Sequence, residues 1–215
     1  MDIALDIELT RRWIAASAAA IAEQADRLTE LDSAIGDGDH GVNLNRGFAA
    51  VLGALDGYDA TTVGEVLVRT GSTLVSKVGG AAGPLYGTAF RAMGKALPEA
   101  EVDAEALAGA LRAGLAGVQK LGAAVPGDKT IVDAYAPAVA AYDAAVAAGA
   151  DRSGAAAAAA RAAEEGMRAT TALQARKGRA SYLGERSVGH QDPGATSTWL
   201  IFNALAETTA EATGA

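Results

Sequence analysis

An acidic, glycine-rich segment contains the residue types that most clearly suggest a chemical function for this chain. Residues 32–47 read DSAIGDGDHGVNLNRG, so three aspartates and a histidine lie within nine residues, between two apolar stretches. Glycines let the backbone turn sharply and approach a ligand, and carboxylate oxygens suit a hard cation such as magnesium. Asp32, Asp37 and Asp39 are therefore predicted to be metal ligands in a site that binds phosphate through the metal.

Two other interpretations of this segment fail. Residues 36–41 match the GxGxxG pattern, but a dinucleotide site needs a preceding strand and bare amides facing a pyrophosphate. Here the preceding residues read as helix, and two aspartates would repel the phosphates. A calcium EF-hand would need a glutamate at its twelfth position, which counting from Asp32 or Asp37 does not give. A solvated turn explains one Asp-Gly pair, but not three carboxylates beside His40.

Composition excludes several classes of function. The net charge of -8 argues against binding to nucleic acid or to an anionic membrane, since both need clustered Lys and Arg. The absence of cysteine excludes disulfides, thiol catalysis and Cys-ligated zinc, and it fits a reducing compartment. There is no signal-peptide pattern and no run of roughly 18 apolar residues. We expect a cytoplasmic protein in which residues 1–215 form one domain.

The spacing of apolar residues predicts an all-α protein of about eight antiparallel helices. Asp192-Pro193 has the pattern of an N-cap followed by the first helical position. No segment alternates convincingly between apolar and polar residues, so no sheet is expected. The predicted helices cover residues 7–31, 40–55, 62–77, 85–96, 103–121, 132–146, 153–173 and 193–211, each bound being approximate.

Four loops of unusual composition should lie together. In an up-and-down arrangement, the loops after the first, third, fifth and seventh helices are all at the same end of the molecule. These loops are the acidic segment and residues 79–87, 126–130 and 178–194. Loops carried by a rigid scaffold commonly form binding sites. Because the chain has no GxxxxGK[ST] P-loop, its carboxylates must bind phosphates through one or two magnesium ions.

Individual loop residues suggest further contacts, each with a purely structural alternative. Residues 80–82 can offer backbone amides near the start of a helix, although a tight turn also explains the glycines. Arg179 can donate to phosphates, although it also fits a solvated surface arginine. Asp192 is explained equally well by its N-cap position alone. His190 as a ligand stays open.

Five segments together resemble one known family. They are residues 31–41 (LDSAIGDGDHG), 83–88 (GPLYGT), 126–130 (PGDKT), 178–187 (GRASYLGERS) and 189–197 (GHQDPGATS). The chain is similar, from its first helix to its last, to the nucleotide-binding L subunit of dihydroxyacetone kinase. That subunit also occurs as the C-terminal domain of single-chain ATP-dependent kinases. The resemblance implies a barrel of eight antiparallel helices with the nucleotide at one end.

The resemblance also implies a role for each site residue. Asp32, Asp37 and Asp39 would hold two magnesium ions, and Arg179 would serve in catalysis. Ala82 stands where many relatives have Ser and Ile131 where Met is usual, so a hydroxyl contact is lost and a wall of the base pocket changes. The positions expected to contact ADP or ATP are His40, Gly41, Asn43, Ala81, Ala82, Gly122, Ile131, Arg179, Asp192, Pro193 and Gly194.

The family's partners follow from its source of phosphoryl groups. In the bacterial type, the L subunit keeps ADP as a coenzyme and a phosphohistidine protein of the phosphotransferase system regenerates ATP in place. The γ-phosphoryl group then passes to dihydroxyacetone held by a K subunit. This form is expected here because the chain contains no K-type domain. An ATP-exchanging kinase, a kinase for another short ketose, a nucleotide-loaded module acting on a transcription regulator, and a homodimer stay open as alternatives.

Overall fold

Nine α-helices make up most of residues 4–214, the part of the chain that the computed structural model describes. The all-α prediction is confirmed, while the predicted domain of residues 1–215 extends beyond the described residues at both ends. Two 3-10 segments, Thr170–Ala172 and Arg179–Ser187, lie between the last two helices. The helices are α1 (Ile7–Glu23), α2 (Ala25–Ile35), α3 (His40–Leu55), α4 (Val63–Lys77), α5 (Ala82–Lys95), α6 (Ala104–Gly122), α7 (Val132–Ala147), α8 (Arg152–Ala169) and α9 (Pro193–Thr213).

The first predicted helix is in fact two helices. The backbone leaves helical geometry at Gln24, with φ -97° and ψ 9°, and α2 then continues to Ile35. The first turn of α3 packs so closely on the start of α2 that a Cβ on Gly41 would overlap the Ala25 carbonyl oxygen. Neither glycine nor proline marks the break. Periodicity alone therefore could not locate it.

Side-chain caps explain where several helices begin. In five helices the residue before the first turn accepts a hydrogen bond from the backbone amide three residues later. The predicted cap at Asp192 is among them, and the five are Asp6, Thr62, Asp103, Asp151 and Asp192. Helix α5 starts earlier than predicted because Pro84 falls in its first turn, where no amide donor is needed.

One small sheet was missed by the sequence analysis. Strand β1 (Leu5–Asp6) pairs antiparallel with β2 (Glu101–Val102), with Leu5 opposite Val102. Each strand has two residues, which is too short to show an alternating pattern. The pair joins the start of α1 to the start of α6.

The helices surround one apolar core to which all nine contribute. Trp13 lies near its centre, with its ring 6.0 Å from that of Phe90, and its indole N–H donates to the Ile201 carbonyl at 3.0 Å. Buried Trp commonly satisfies its single donor in this way. None of the helices in the described part of the chain is long and apolar enough to cross a bilayer.

Helices α4 and α5 pack with their backbones almost in contact. A Cβ on Gly71 would lie 2.5 Å from the Gly87 carbonyl oxygen and 2.8 Å from the Arg91 amide nitrogen. Backbone atoms cannot move aside as the end of a flexible side chain can. Only glycine therefore fits at this crossing, and one of the four loops of unusual composition leads into the N-terminus of α5.

We expect Gly71→Ala to lower the free energy of unfolding by about 1 to 3 kcal/mol, because the added methyl group forces α4 and α5 apart. Urea denaturation followed by circular dichroism measures this change. Gly53→Ala is the matched control, since Gly53 lies in α3 with nothing within 4 Å of an added Cβ. It should raise stability by roughly 0.4 to 1 kcal/mol. Equal effects of the two substitutions would contradict the packing argument.

Candidate metal and nucleotide site

Four loops meet in one open cleft at a single end of the helical barrel. They follow α2, α4, α6 and α8, so the predicted convergence of these loops is confirmed. The cleft is lined by residues 35–37 and 39–40 from the first loop, 79–82 from the second, 129–131 from the third and 177–180 with 192–194 from the fourth. The same cleft also contains Asp32 and Asn43.

The three predicted metal ligands lie together in this cleft. One carboxylate oxygen from each of Asp32, Asp37 and Asp39 is within 4.8 Å of the others. Asp32 is buried, whereas the other two face solvent. Like charges this close repel one another, and a hard divalent cation with oxygen ligands relieves that repulsion. The donor set fits magnesium.

Asp32 also holds the turn that brings the other ligands to it. Its Oδ2 accepts hydrogen bonds from the backbone amides of Asp39, at 2.9 Å, and His40, at 3.1 Å. These amides belong to the start of α3, where helix donors lack partners within the helix. A Cβ on Gly36 would overlap the Asp32 carboxylate, so only glycine fits at the turn.

His40 follows the carboxylate cluster, and its side chain contacts helix α9. Its Nε2 lies 2.8 Å from the Ser197 hydroxyl of α9. Burial lowers the pKa of the imidazole, while the charges of Asp32 and Asp39 and a hydrogen bond with the Pro193 carbonyl oppose that shift. The net effect is a pKa below the ordinary value of an imidazole.

Asn43 lies one turn further along α3, and its amide is oriented by a neighbour that the sequence analysis did not identify. Arg46 donates through Nη2 to the Asn43 Oδ1 at 2.8 Å and through Nε to the Lys77 carbonyl at 3.2 Å. The Asn43 amide lies against Gly79 in the second loop, where an added Cβ would be 3.0 Å from Nδ2 and 3.2 Å from Oδ1. Asn43 can therefore offer a hydrogen bond to a ligand in the cleft.

The N-terminus of α5 forms another part of the cleft. Gly80 has a φ of +65°, a conformation that other residues rarely adopt. No side chain caps α5, so the backbone amides at Ala81 and Ala82 are not occupied by a cap. Free amides and the helix dipole make such an end suitable for an anion. Ala82 supplies no hydroxyl, as expected.

Lys129 is a buried member of the site that the sequence analysis missed, although its PGDKT motif was recognised. Its backbone φ is +62°, and its ammonium donates to the Thr170 carbonyl at 2.6 Å and to the His190 carbonyl. Burial lowers its pKa, and the charges of Asp192 and Asp133 oppose this effect. Lys129 thus ties the loop after α6 to the loop after α8.

Arg179 lies at the mouth of the cleft. Its Nη2 is 3.0 Å from the Asp37 Oδ2, and two thirds of its side chain is exposed. A pair this exposed contributes little to stability and can separate readily. Arg179 can therefore turn towards a ligand that approaches Asp37.

Of the remaining residues that were expected to contact the nucleotide, some line the cleft and others pack in the helices next to it. Ile131 and Pro193 line the cleft beside Gly194. Gly41 instead supports the packing of α3 on α2, and Gly122 ends α6, where an added Cβ would lie 3.4 Å from the Leu85 side chain. His190 lines a separate groove behind α2.

The chain matches known proteins over most of its length. Residues 34–207 match the family model described as the DAK2 domain. The chain belongs to the DAK2 domain family.

The most similar relatives include two bacterial kinase subunits. The chain is 42% identical to the PEP-dependent dihydroxyacetone kinase 1, ADP-binding subunit DhaL of Listeria innocua, over 94% of this chain and 97% of that protein. It is 43% identical to the corresponding ADP-binding subunit of Escherichia coli, over 90% and 93% of the two chains.

A solved structure also matches the fold. The dihydroxyacetone kinase of C. freundii in complex with AMP-PNP and Mg2+ has a TM-score of 0.71 at 25% sequence identity, covering 96% of this chain. Our DAK2 domain corresponds to 35% of that kinase chain. It therefore spans about a third of the solved enzyme.

Asp192 gives this DAK2 domain a testable dependence on pH. Burial raises the pKa of Asp192 to about 7, an effect increased by Asp133 and opposed by the Ala195 amide and by Lys129. Between the ordinary value of 3.8 and about 7, the folded state binds a proton that the unfolded state releases. This contribution to stability therefore falls as the pH rises through that window.

We expect Asp192→Asn to reduce this fall, because Asn is also a good N-cap but cannot ionise. Urea denaturation of both proteins from pH 4 to 8, without metal or nucleotide, measures the difference. The free energy of unfolding of the variant should change less between pH 4 and 7. Parallel curves for the two proteins would contradict the assignment.

Proposed function

We propose that this DAK2 domain is the ADP-binding subunit of a dihydroxyacetone kinase, and that residues 1–215 act as one nucleotide-binding domain. The observation that carries the proposal is the cluster of Asp32, Asp37 and Asp39 within 4.8 Å, in the same cleft as the uncapped start of α5. Two relatives that bear this activity in their names align with at least 90% of the chain. The cleft provides the groups that a magnesium nucleotide needs.

The three aspartates would hold magnesium, as two ions if the resemblance is exact. When bound, magnesium neutralises charge on the phosphates and on the transferred group. The backbone amides of Ala81 and Ala82 donate to phosphate oxygens, and the Asn43 amide nitrogen faces the same space. Ile131 supplies an apolar wall for the base. Together these groups fix a nucleotide with its phosphates at the carboxylate cluster.

Arg179 is the residue to which we assign a role in phosphoryl transfer. Its pairing with Asp37 places a guanidinium at the edge of the metal cluster, and its exposure lets it reach the γ-phosphoryl group. Phosphoryl transfer depends on positioning and on neutralising charge, so no covalent protein nucleophile is required. The acceptor, dihydroxyacetone, would be bound by a separate K subunit that approaches the mouth of the cleft.

The phosphoryl donor is proposed to be a phosphohistidine protein rather than free ATP. This rests on the names of the relatives, which are called PEP-dependent in Listeria innocua and E. coli and PTS-dependent in Lactococcus lactis. The L-erythrulose 1-kinase of Mycolicibacterium smegmatis is also similar, at 38% identity over 86% of this chain. The choice of ketose therefore belongs to the partner subunit. Action on a transcription regulator and homodimer formation remain predictions made from the sequence as alternatives.

We expect Asp37→Ala and Asp39→Ala each to abolish magnesium-dependent ADP binding, because each removes a ligand from the cluster. Isothermal titration with ADP, with and without magnesium, measures this loss. Asp59→Ala is the matched control, since Asp59 is exposed and outside the cleft. Circular dichroism should show the helices unchanged in all three variants. Unchanged ADP affinity for both cluster variants would rule out the metal site.

The identity of the phosphoryl donor can be tested by counting catalytic turnovers. If ADP is a resident coenzyme, it should survive gel filtration with the protein. With a K-type partner and dihydroxyacetone, one equivalent of bound ATP should then give a single turnover. Continued turnover should need the phosphohistidine protein, and the isolated chain should phosphorylate nothing. Sustained turnover on free ATP alone would reject the coenzyme role while leaving the metal site unaffected.

A further inference from the structure

Residues 171–190 form most of the connection between α8 and α9, and this segment is called the Arg179 loop below. It places Arg179 at the mouth of the cleft, where the side chain is largely exposed. In the part of the chain that the structure describes, three polar contacts join the Arg179 loop to elements other than its own flanking turns. The position of the loop therefore depends on a small number of groups.

Two of these three contacts come from adjacent residues of the loop that follows α6. The Asp128 carbonyl accepts a hydrogen bond from the Arg176 amide at 3.0 Å, and the Lys129 ammonium donates to the His190 carbonyl. The third contact is the exposed ion pair of Arg179 itself, and pairs of this kind contribute little to stability. The loop that follows α6 is therefore the main support of the Arg179 loop.

Lys129 joins the two ends of the Arg179 loop. Its ammonium donates to the Thr170 carbonyl at 2.6 Å, where α8 ends, as well as to the His190 carbonyl shortly before α9 begins. An ammonium has three donors, so it can bond to both carbonyls at once. A cation is also favoured at the C-terminus of a helix, where carbonyl groups lack partners within the helix. Removal of the ammonium would release both ends of the loop.

The turn that carries Lys129 is held by the first turn of α7. The Asp133 carboxylate accepts hydrogen bonds from the amides of Gly127 and Thr130, the second at 2.7 Å. Lys129 is buried, and a charge buried alone would be costly. The negative charges of Asp133 and Asp192 act on the ammonium and offset that cost. Lys129 can therefore hold the Arg179 loop from a fixed position.

We propose that Lys129 is a positioning residue that holds Arg179 at the mouth of the cleft by joining the two ends of the Arg179 loop. The role of Arg179 in phosphoryl transfer rests on the proposed function, whereas the attachment of the loop does not. The predicted magnesium ligands and the start of α5 lie outside this loop. Loss of Lys129 should therefore impair transfer more than nucleotide binding.

Hydrogen exchange measured by mass spectrometry, without nucleotide, tests the attachment. Lys129→Met keeps the length of the side chain and removes its charge and its donors. The Arg176 and Gly189 amides are hydrogen-bonded in the Arg179 loop, and exchange in its peptides should become about 10-fold faster, as expected for the loss of one or two hydrogen bonds. Peptides from α1 should exchange as before. If Lys129→Met does not fold, Lys129→Gln, which keeps an amide donor, takes its place. Unchanged exchange of the loop in the folded variant would overturn the proposal.

Leu107→Ala is the control for a general loss of stability. Leu107 is buried in the first turn of α6, at the opposite end of that helix from the loop that carries Lys129. Its truncation leaves a cavity in the core and lowers stability without touching the Arg179 loop. Exchange in the loop should stay at the wild-type rate. The same acceleration in this control would show that the effect of Lys129→Met is not a local one.

A double-mutant cycle then tests whether Lys129 acts through Arg179. With a K-type partner and dihydroxyacetone, Lys129→Met should slow the single turnover of bound ATP by about 10- to 100-fold, the effect of a misplaced group. Isothermal titration should show a smaller change in affinity for ADP with magnesium. In an Arg179→Ala background, Lys129→Met should slow transfer little further, because residues that act as a unit are not additive.

Two outcomes of this cycle would overturn the transfer role of Lys129. One is equal slowing by Lys129→Met in both backgrounds, and the other is a loss of ADP affinity as large as the loss of rate. If the wild-type protein bound no ADP, the proposed function would fail together with the transfer role. The exchange measurement would still decide whether Lys129 holds the loop.

Discussion

The paired hydrogen bonds from the start of α3 to the Asp32 carboxylate are the interaction on which the site depends. Asp39 and His40 supply the two amides, so one buried side chain closes the turn between α2 and α3. The same carboxylate is a member of the predicted metal cluster. Asp32 therefore both accepts hydrogen bonds from the start of α3 and contributes a carboxylate to the predicted metal site. Its replacement would disturb the fold as well as the metal site, unlike replacement of Asp37.

An acidic protein that binds a nucleotide must overcome repulsion between like charges. The net charge is -8, and four aspartates line the cleft where phosphates would lie: Asp32, Asp37, Asp39 and Asp192. Three features would compensate: magnesium bound by the carboxylate cluster as proposed, the uncapped N-terminus of α5, and Arg179 at the mouth. All three act at short range, where screening by salt is weakest. Local arrangement, not overall charge, makes the cleft suitable for an anion.

The cleft consists of loops, so its precision must come from what holds them. Lys129 joins two loops through carbonyl groups of Thr170 and His190, and the close packing of α4 on α5 fixes the helix end that carries a third. Below them, Ser197 and Tyr86 link α9 and α5 to His40. Buried polar groups that are fully hydrogen-bonded give a site a single geometry. The contacts that hold the loops in place therefore lie deeper in the protein than the residues that would contact a ligand.

The sequence by itself determined the local features of this protein. Carboxylates and glycines in residues 32–39 predicted a metal site, whose three carboxylates the fold brings together. Apolar periodicity predicted the helical fold, and Asp192 followed by proline marked the start of the last helix. Such features depend on neighbours within one or two turns. The break at Gln24, the ties made by Lys129 and the contact of Ser197 with His40 were decided only by tertiary structure, because each depends on groups far apart in the chain that packing brings together.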